Sequence, residues 1–340
     1  MLFSVIIPAY NASDTIVRCL DSVYALPTSE SDYEIILVDD CSDDATLILA
    51  RHYAQSHPNL VVLAQAENHR QGAARNRGLS IAQGKFIVFL DSDDELDAGI
   101  VSALLLAEEK KLEMIAIRGV RVDSEERIIN TYSLPFSRDY VFSGIDLQTN
   151  HPFWCSGPVL YIYLRSFLSK VDYPFAEDVI YEDCDFVHIH LYHAKRMGYC
   201  DSCGYRIFVN PTSTTHLVSY KHMSDYALLG TRMLQFYQRI GEKDTKYAKS
   251  ILEGGSYNIM KSCRNLFKLT SGKEVCSFYE RFDAYVDRSS LLHYREPAYC
   301  WNRWTRFCLN NKSLTIVLLS IILFGGRTRL LKSFLKGYFN

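Results

Sequence analysis

The sequence predicts an α/β fold, with a mostly parallel sheet flanked by helices and a helical carboxyl-terminal region. Over the first hundred residues, short apolar runs alternate with segments of helical periodicity, which is typical of right-handed βαβ units. The run at residues 86–90 is apolar throughout, as expected of a strand buried on both faces. Polar and acidic side chains follow several of these runs, where the ligands of open α/β sheets bind.

The individual elements follow from local signals. The first strand ends at Pro8, and the helix after it has apolar residues at helical spacing until Pro27 closes the segment. A later helix begins near Asp97, because acidic residues favour a helix N-terminus. The predicted strands are residues 4–7, 34–38, 60–63, 86–90 and 205–209, and the predicted helices include residues 16–24, a segment ending at 54, and residues 72–82, 187–195, 226–237 and 257–269. Residues 133–150 are expected to be rich in loops.

Charge divides the chain into two parts. Residues 1–220 carry 17 Lys and Arg against 30 Asp and Glu, whereas residues 221–340 carry 20 against 9. We therefore predict an α/β domain at 1–220, with a ligand-binding half at 1–100 and a second half at 101–220, and a basic helical region at 221–340. The basic region indicates a polyanionic partner, either a membrane surface or nucleic acid.

The last forty residues favour a membrane surface over nucleic acid. Residues 314–324 form a mostly apolar run of eleven residues, which is shorter than the roughly 20 that a spanning helix needs. Trp301 and Trp304 precede this run and cations follow it, as in an interfacial anchor. The alternative is a core helix packed on the α/β domain. Because no signal peptide is recognisable, we expect a cytoplasmic protein peripheral to the cytoplasmic face of the membrane.

Two carboxylates at the end of the apolar run 86–90 predict a cation site. In an extended Asp91-Ser92-Asp93, both outer side chains point to one side of the strand. Two convergent carboxylates suit Mg²⁺ or Mn²⁺, which usually complete their shell with water and substrate phosphates. The alternative is that these acids cap the next helix.

Other strand ends add polar groups to the same edge of the sheet. Tyr10 and Asp40 follow the first two strands, and three arginines lie near the start of the helix at 72–82. Free N–H groups and the helix dipole favour an anion there, so a phosphate could be held from both sides. The alternative for the arginines is a solvated basic face.

Several function classes lack their sequence signals. The chain contains neither the G-x-G-x-x-G fingerprint nor the G-x-x-x-x-G-K-[ST] loop, which disfavours hydride transfer and P-loop chemistry. A sugar-phosphate nucleotidyltransferase would need a glycine-rich basic loop after the first strand, where residues 8–13 have no glycine or cation. Two non-enzymatic classes remain as alternatives to an enzyme. One is a receiver-like signalling module, and the other is a non-catalytic module that binds a nucleotide-sugar in an acidic pocket.

Four segments in order, residues 4–11, 34–44, 72–78 and 89–94, give the chain a family resemblance. It resembles the family 2 glycosyltransferases of the GT-A fold. The resemblance implies an inverting, metal-dependent transfer from a nucleotide-sugar donor, expected to be UDP-linked, to a glycan or lipid-linked acceptor in surface polysaccharide synthesis. Because the Q-x-x-R-W motif and multiple spanning helices are missing, the chain is similar to the non-processive members.

The resemblance also implies roles for individual residues. Tyr10 and Asp40 would hold the nucleobase, and Arg75 would approach the base or the diphosphate. The D-x-D segment would contact the ribose and ligate Mn²⁺ or Mg²⁺, with Asp94 as an alternative ligand. The implied donor-binding residues are Pro8, Ala9, Tyr10, Asp40, Arg75, Asp91 and Ser92, and the implied metal ligands are Asp91, Asp93 and His216.

A second acidic cluster supplies the candidate base. Glu182 and Asp183 resemble the family's E-D-x-x-F segment, and an inverting transfer needs a carboxylate to accept the proton of the acceptor hydroxyl. Asp183 is the first choice for the base and Glu182 the second. The alternative is that residues 182–185 cap a helix. Trp154 could stack on the acceptor sugar or be buried in the core.

Overall fold

The computed structural model describes residues 1–151, 157–209, 219–240, 246–266 and 272–285. The chain divides into two compact units, Met1–Pro211 and Thr212–Asn340. The sequence places this boundary at residue 220.

The first unit begins with the predicted alternation of strands and helices. Four parallel strands lie in the order β3-β2-β1-β4, so the chain moves outward in both directions from β1. The strands are β1 (Phe3–Ala9), β2 (Tyr33–Asp39), β3 (Leu60–Ala64) and β4 (Phe86–Phe89), and the helices between them are α1 (Ile16–Tyr24), α2 (Thr46–Ala54) and α3 (Arg70–Ile81). Every residue of β1 and β4 is buried, as the unbroken apolar run predicted.

The rest of the first unit extends the same sheet. The elements are β5 (Glu95–Leu96), α4 (Gly99–Lys110), β6 (Met114–Val122), β7 (Ile128–Tyr132), α5 (Gly144–Asn150), β8 (Tyr161–Leu164), α6 (Arg165–Val171), α7 (Asp183–His193) and β9 (Met197–Phe208). The strand order is β3-β2-β1-β4-β8-β6-β9-β5, and β7 pairs with β6. Because β8 is antiparallel to both β4 and β6, and β9 is parallel to β6, strands β1, β2, β4, β6 and β9 all end at one edge.

Several elements differ from the sequence prediction. Helix α7 begins at Asp183 rather than at residue 187. The segment expected to be rich in loops contains α5, which begins with a capping box in which Ser143 and Asp146 bond each other's backbone N–H groups. The S-x-x-D spacing that signals this box was present in the sequence. Strand β9 starts at Met197 rather than at residue 205, because its first half pairs with Met114 to Ile117 of β6.

The second unit contains three helices in the described residues, α8 (Tyr220–Arg239), α9 (Lys246–Asn265) and α10 (Gly272–Tyr285). Helices α8 and α9 begin at Tyr220 and Lys246 rather than at residues 226 and 257. A Cβ placed on Gly230 would lie 2.5 Å from the carbonyl oxygen of Gly255, so α8 and α9 pack closely at this point. The buried Asp225 accepts hydrogen bonds from Lys221 and Arg281. No described helix is long and apolar enough to cross a membrane. The predicted anchor at 301–340 lies outside the described residues.

Candidate active site

The tips of β1 and β2 are joined by side chains. Asn11 has a left-handed backbone (φ 49°), its N–H donates to Ser42 Oγ at 3.0 Å, and its Oδ1 accepts from the Asp43 N–H at 3.0 Å. Asparagine tolerates this backbone region better than most residues. The neighbouring Tyr10 is 47% exposed, so its ring is available at the edge of the sheet. Pro8 and Ala9 are buried in β1 below it.

Asp40 is buried directly beyond β2. Its Oδ1 accepts hydrogen bonds from Gln65 Nε2 at 2.6 Å and from the His69 N–H at 2.8 Å. Burial raises the pKa of Asp40, and these donors, together with the N–H of Arg70, oppose that shift. The carboxylate is therefore held by donors from the end of β3 and the start of α3, and the Asp40 N–H donates to the Ala9 carbonyl oxygen at the tip of β1.

The acidic segment after β4 is held by β9. Tyr205 Oη accepts from the Asp91 N–H at 3.1 Å and donates to Asp94 Oδ2 at 3.0 Å. The Phe208 N–H donates to Asp94 Oδ1 at 2.8 Å. Burial, followed by the charges of Asp91 and Asp93, raises the pKa of Asp94 well above its usual range. Both oxygens of Asp94 therefore bond to β9, whereas Asp91, Ser92 and Asp93 are partly exposed.

The same acids do not cap a helix. Helix α4 has Ala98 at its N-cap position and makes no side-chain capping bond, and the Asp97 carboxylate accepts from the Ala98 N–H instead. The capping alternative for Asp91 and Asp93 is therefore wrong.

Helix α1 supports this segment in a way that sequence reasoning missed. Arg18 Nη2 donates to the carbonyl oxygen of Asp93 at 2.6 Å, and its guanidinium carbon lies 3.7 Å from the centre of the Phe208 ring. Cys19 Sγ donates to the carbonyl oxygen of Asp91 at 3.6 Å. No local signal marks Arg18, because its partners lie about 75 and 190 residues further along the chain.

Arg75 joins the two acidic clusters. It is 2% exposed, its Nη2 donates to Asp91 Oδ1 at 2.7 Å, and its Nη1 donates to Glu182 Oε1. Burial by itself would lower the pKa of Arg75, but the carboxylates of Asp91 and Glu182 more than reverse this effect and the pKa is raised. The resemblance implied a contact with the base or diphosphate. In the structure, the guanidinium is bound to the two acids, so it remains charged and orders both of them.

Glu182 and Asp183 lie at the start of α7. Glu182 occupies the N-cap position, but its side chain makes no capping bond and binds Arg75 instead, so the capping alternative is wrong for Glu182. Burial raises the pKa of Glu182, against the effect of Arg75. Burial and the adjacent charge of Glu182 raise the pKa of the half-buried Asp183 to about 7. Asp183 can therefore hold or release a proton near neutral pH.

Asp91 and Asp93 suit a hard cation that takes its remaining ligands from outside the protein. Within the part of the chain that the structure describes, no group of three or more His, Cys, Asp or Glu side chains is placed to hold a metal ion. Two carboxylates completed by water and substrate phosphates are a usual site for Mg²⁺, so the donor set present fits such an ion. The predicted third ligand His216, like Trp154, lies outside the described residues.

Comparison with known proteins identifies the family. Residues 4–171, which include β1 to β8 and the acidic segment after β4, match the family described as "Glycosyl transferase family 2". The chain belongs to glycosyl transferase family 2. The predicted family is confirmed, and the signalling and non-catalytic alternatives are not favoured. Within this family 2 chain, the acidic pair Glu182 and Asp183 lies just beyond the matched residues.

This family 2 chain is similar to two curated proteins of Bacillus species. It is 30% identical over 231 residues to the uncharacterized glycosyltransferase EpsJ of Bacillus subtilis, a match that covers 66% of this chain and 65% of EpsJ. It is 43% identical over 95 residues to the poly(ribitol-phosphate) beta-glucosyltransferase of Bacillus spizizenii, covering 28% of this chain and 15% of that enzyme. The chain therefore spans less than two thirds of the length of these relatives.

A solved structure confirms the GT-A fold of the family 2 chain. The crystal structure of residues 1–349 of TarS from S. aureus, in complex with UDP-GlcNAc, superposes with a TM-score of 0.63 at 21% identity, covering 96% of this chain and 92% of TarS 1–349. The α/β fold predicted from the sequence is thus confirmed.

Proposed function

We propose that the protein is a metal-dependent, inverting and non-processive glycosyltransferase. It moves a sugar from a UDP-sugar to a hydroxyl of a glycan or lipid-linked acceptor in cell-surface polysaccharide synthesis. The observation that carries this proposal is the buried Arg75, which binds Asp91 of the donor-side cluster and Glu182 of the base-side cluster at once. One cation thereby orders both halves of a single reaction site.

Asp183 is the proposed general base. Its raised pKa of about 7 makes it a stronger base than an ordinary aspartate, yet it is still substantially ionised near neutral pH. As the acceptor oxygen forms a bond to the anomeric carbon, its proton passes to the Asp183 carboxylate and the bond from that carbon to the diphosphate oxygen breaks. Attack opposite the leaving diphosphate inverts the anomeric centre.

Asp91 and Asp93 are the proposed ligands of Mn²⁺ or Mg²⁺. Asp94 is a weaker candidate because its two oxygens already accept bonds from Tyr205 and Phe208. When bound, the cation supplies positive charge that stabilises the departing diphosphate. Arg18 and Tyr205 hold the backbone on either side of Ser92 and so keep the two carboxylates oriented.

The surroundings of Asp40 support uridine as the nucleoside of the donor. An ionised carboxylate has about four acceptor positions, and three protein donors from Gln65, His69 and Arg70 already stabilise this one. One remaining position suits the single imide N–H of uracil. Guanine presents two neighbouring N–H donors on its edge and would need two free positions. The exposed Tyr10 ring beside Asp40 is available for stacking on the base.

We expect the protein to bind UDP at least about tenfold more tightly than GDP, and Asp40→Asn to weaken UDP binding by about tenfold. One hydrogen bond to a charged acceptor contributes roughly 1.5–3 kcal/mol, and every 1.4 kcal/mol is tenfold in affinity. Isothermal titration calorimetry with UDP, GDP and Mn²⁺ measures both effects. Asp43→Asn is a suitable control because its backbone N–H, rather than its carboxylate, bonds the neighbouring loop. Equal affinity for UDP and GDP would contradict the assignment of uridine.

A membrane surface is the proposed location of the acceptor. Support comes from the sequence alone, in which residues 221–340 carry 20 Lys and Arg against 9 Asp and Glu. Such a balance favours anionic lipid on the cytoplasmic face of a membrane. The apolar run at 314–324 would lie in the interface.

The donor reaction tests the proposal directly. A panel of UDP- and GDP-sugars is incubated with the protein in Mn²⁺ or EDTA, and release of the nucleoside diphosphate is measured with and without candidate acceptors. We expect turnover of one donor, its loss in EDTA, and a fall in turnover of about 100-fold in Asp93→Ala, because one of two protein ligands is removed.

Asp97→Asn is the matched control, since that acid lies close by in sequence but its carboxylate accepts from the Ala98 N–H. It should retain turnover. If no donor is bound or hydrolysed with either metal, the proposed function fails.

A further inference from the structure

Helix α3 holds the loop that leads into α7. The pre-α7 loop comprises residues 172–182 and ends directly before Asp183. Asn76 Oδ1 accepts from the Phe175 N–H at 3.0 Å, and Asn76 Nδ2 donates to the Phe175 carbonyl oxygen at 3.0 Å and to Glu177 Oε1 at 2.8 Å. The amide of Asn76 therefore pairs with both backbone groups of one loop residue, as a neighbouring strand would.

Gly72 of α3 and His69, the N-cap residue of α3, contact the same loop. A Cβ placed on Gly72 would lie 2.0 Å from the Ala176 carbonyl oxygen, so only glycine allows this approach. His69 Nδ1 lies 2.9 Å from Asp178 Oδ1, and the Asp178 N–H donates to the His69 carbonyl oxygen at 3.0 Å. Residues 69, 72 and 76 share one face of a helix because they are three and four positions apart.

The pre-α7 loop adopts a backbone that needs such support. Asp172, Asp178 and Tyr181 have φ angles of 49°, 60° and 68°, in the left-handed region that non-glycine residues adopt at an energetic cost. Such a conformation persists only where the surroundings hold it. The contacts with α3 and its N-cap supply that support at residues 175–178, in the middle of the loop.

The loop also transmits its position to α7. Phe175 stacks on Phe186 of α7 with ring centres 3.6 Å apart and planes 9° apart, and both rings meet the edge or face of Phe89 at the end of β4. The position of α3 therefore determines where Phe175 lies, and through it where α7 begins.

We propose that Asn76 is a positioning residue for Asp183. It touches neither donor nor acceptor, but it holds the pre-α7 loop in the one conformation that places the Asp183 carboxylate in reach of the acceptor hydroxyl. This inference rests on the proposed function, and it deepens it by assigning the alignment of the base to α3. A misplacement of about 1 Å in a reacting group can lower a rate on the order of 100-fold.

Asn76→Ala tests the proposal by two independent measurements. We expect kcat to fall about 10- to 100-fold while the affinity for UDP stays within about twofold, because donor contacts at Asp40 and Asp93 are unchanged. We also expect backbone amides of residues 172–183 to exchange faster with deuterium, measured by mass spectrometry. If Asn76→Ala does not fold, Asn76→Asp serves, since it keeps the acceptor for the Phe175 N–H and is expected to give the same pattern.

Asn59→Ala is the matched control. Asn59 also bonds several groups across a loop, accepting from Tyr24 Oη and donating to the Glu30 and Tyr33 carbonyl oxygens, but it lies at the opposite edge of the sheet. It should leave kcat and exchange at 172–183 unchanged. Unchanged exchange in the Asn76 variants, or an unchanged kcat despite faster exchange, would overturn the proposal. If the wild type turns over no donor, the proposed function fails. The difference in deuterium exchange at residues 172–183 between the Asn76 variants and the wild type still decides whether Asn76 holds the loop.

Discussion

Asp183→Asn is expected to lower kcat for sugar transfer by about 1000-fold and to leave UDP affinity within about twofold. A positioned general base typically contributes 10²- to 10⁴-fold, and the asparagine amide cannot accept the hydroxyl proton. The substitution keeps the size of the side chain and removes a charge that burial already disfavours, so the fold should be retained. Steady-state kinetics with the donor identified by the panel, together with UDP titration, measure both quantities.

The pH dependence of kcat/KM tests the role of Asp183 in a second way. Because burial and Glu182 raise the pKa of Asp183 to about 7, the base is protonated and inactive below this pH and ionised above it. The value of kcat/KM should therefore rise with pH through about 7 and then level off, since this ratio reports groups of the free enzyme. In Asp183→Asn the residual rate should lose this dependence.

Asp146→Asn is the control for the possibility that Asp183 only stabilises the start of α7. Asp146 is also an acid in the first turn of a helix, where it completes the capping box with Ser143. Its substitution should cost some stability and leave kcat unchanged. If Asp183→Asn behaves in the same way, Asp183 is not the base, and Glu182 would have to be tested next.

Arg75→Met is expected to destabilise the first unit by about 3–5 kcal/mol and to abolish measurable transfer. Removing one partner of a buried ion pair leaves an uncompensated charge in a poorly solvated place, and here two carboxylates, Asp91 and Glu182, lose the same partner. For a unit of this size each kcal/mol lowers Tm by about 2–4 °C, so a decrease on the order of 10 °C is expected. Differential scanning calorimetry and the donor assay measure the two effects.

Arg75→Lys separates the structural role from the functional one. A lysine keeps the charge, but its single ammonium group lacks the planar fork with which arginine reaches Asp91 and Glu182 at once. We expect part of the stability to return while kcat stays low. Arg77→Met, on the exposed face of the same helix, should change neither quantity. Wild-type stability and kcat in Arg75→Met would show that the two acidic clusters are independent.

Much of the fold could be predicted from the sequence, because its signals are local. Each parallel strand of the first hundred residues contains an uninterrupted apolar run, and the helices between them have helical spacing and defined ends. The family segments also marked Asp40, Arg75 and the D-x-D. Helix α5 was missed although its capping box was present, because the surrounding residues lack clear periodicity.

The partners within the site could not be predicted, because they depend on contacts between distant parts of the chain. Arg75 and Glu182 are separated by 107 positions, and Tyr205 and Asp94 by 111. The sequence favoured Asp91 and Asp93 as metal ligands and kept Asp94 as an alternative, but it gave no partner for any of the three. Only the tertiary structure shows that β9 occupies the oxygens of Asp94 and leaves Asp91 and Asp93 partly exposed.

The sequence alone therefore determined the type of fold and the residue types that gather at one edge of its sheet, since periodicity and strand ends are properties of short segments. The tertiary structure decided which of those residues are committed to holding the site together. It did so because the pKa of an acid, and its freedom to bind a ligand, depend on burial and on charges brought close only by folding. Arg75, which looked like a ligand-binding cation in the sequence, is in the folded protein the link between two groups of acids.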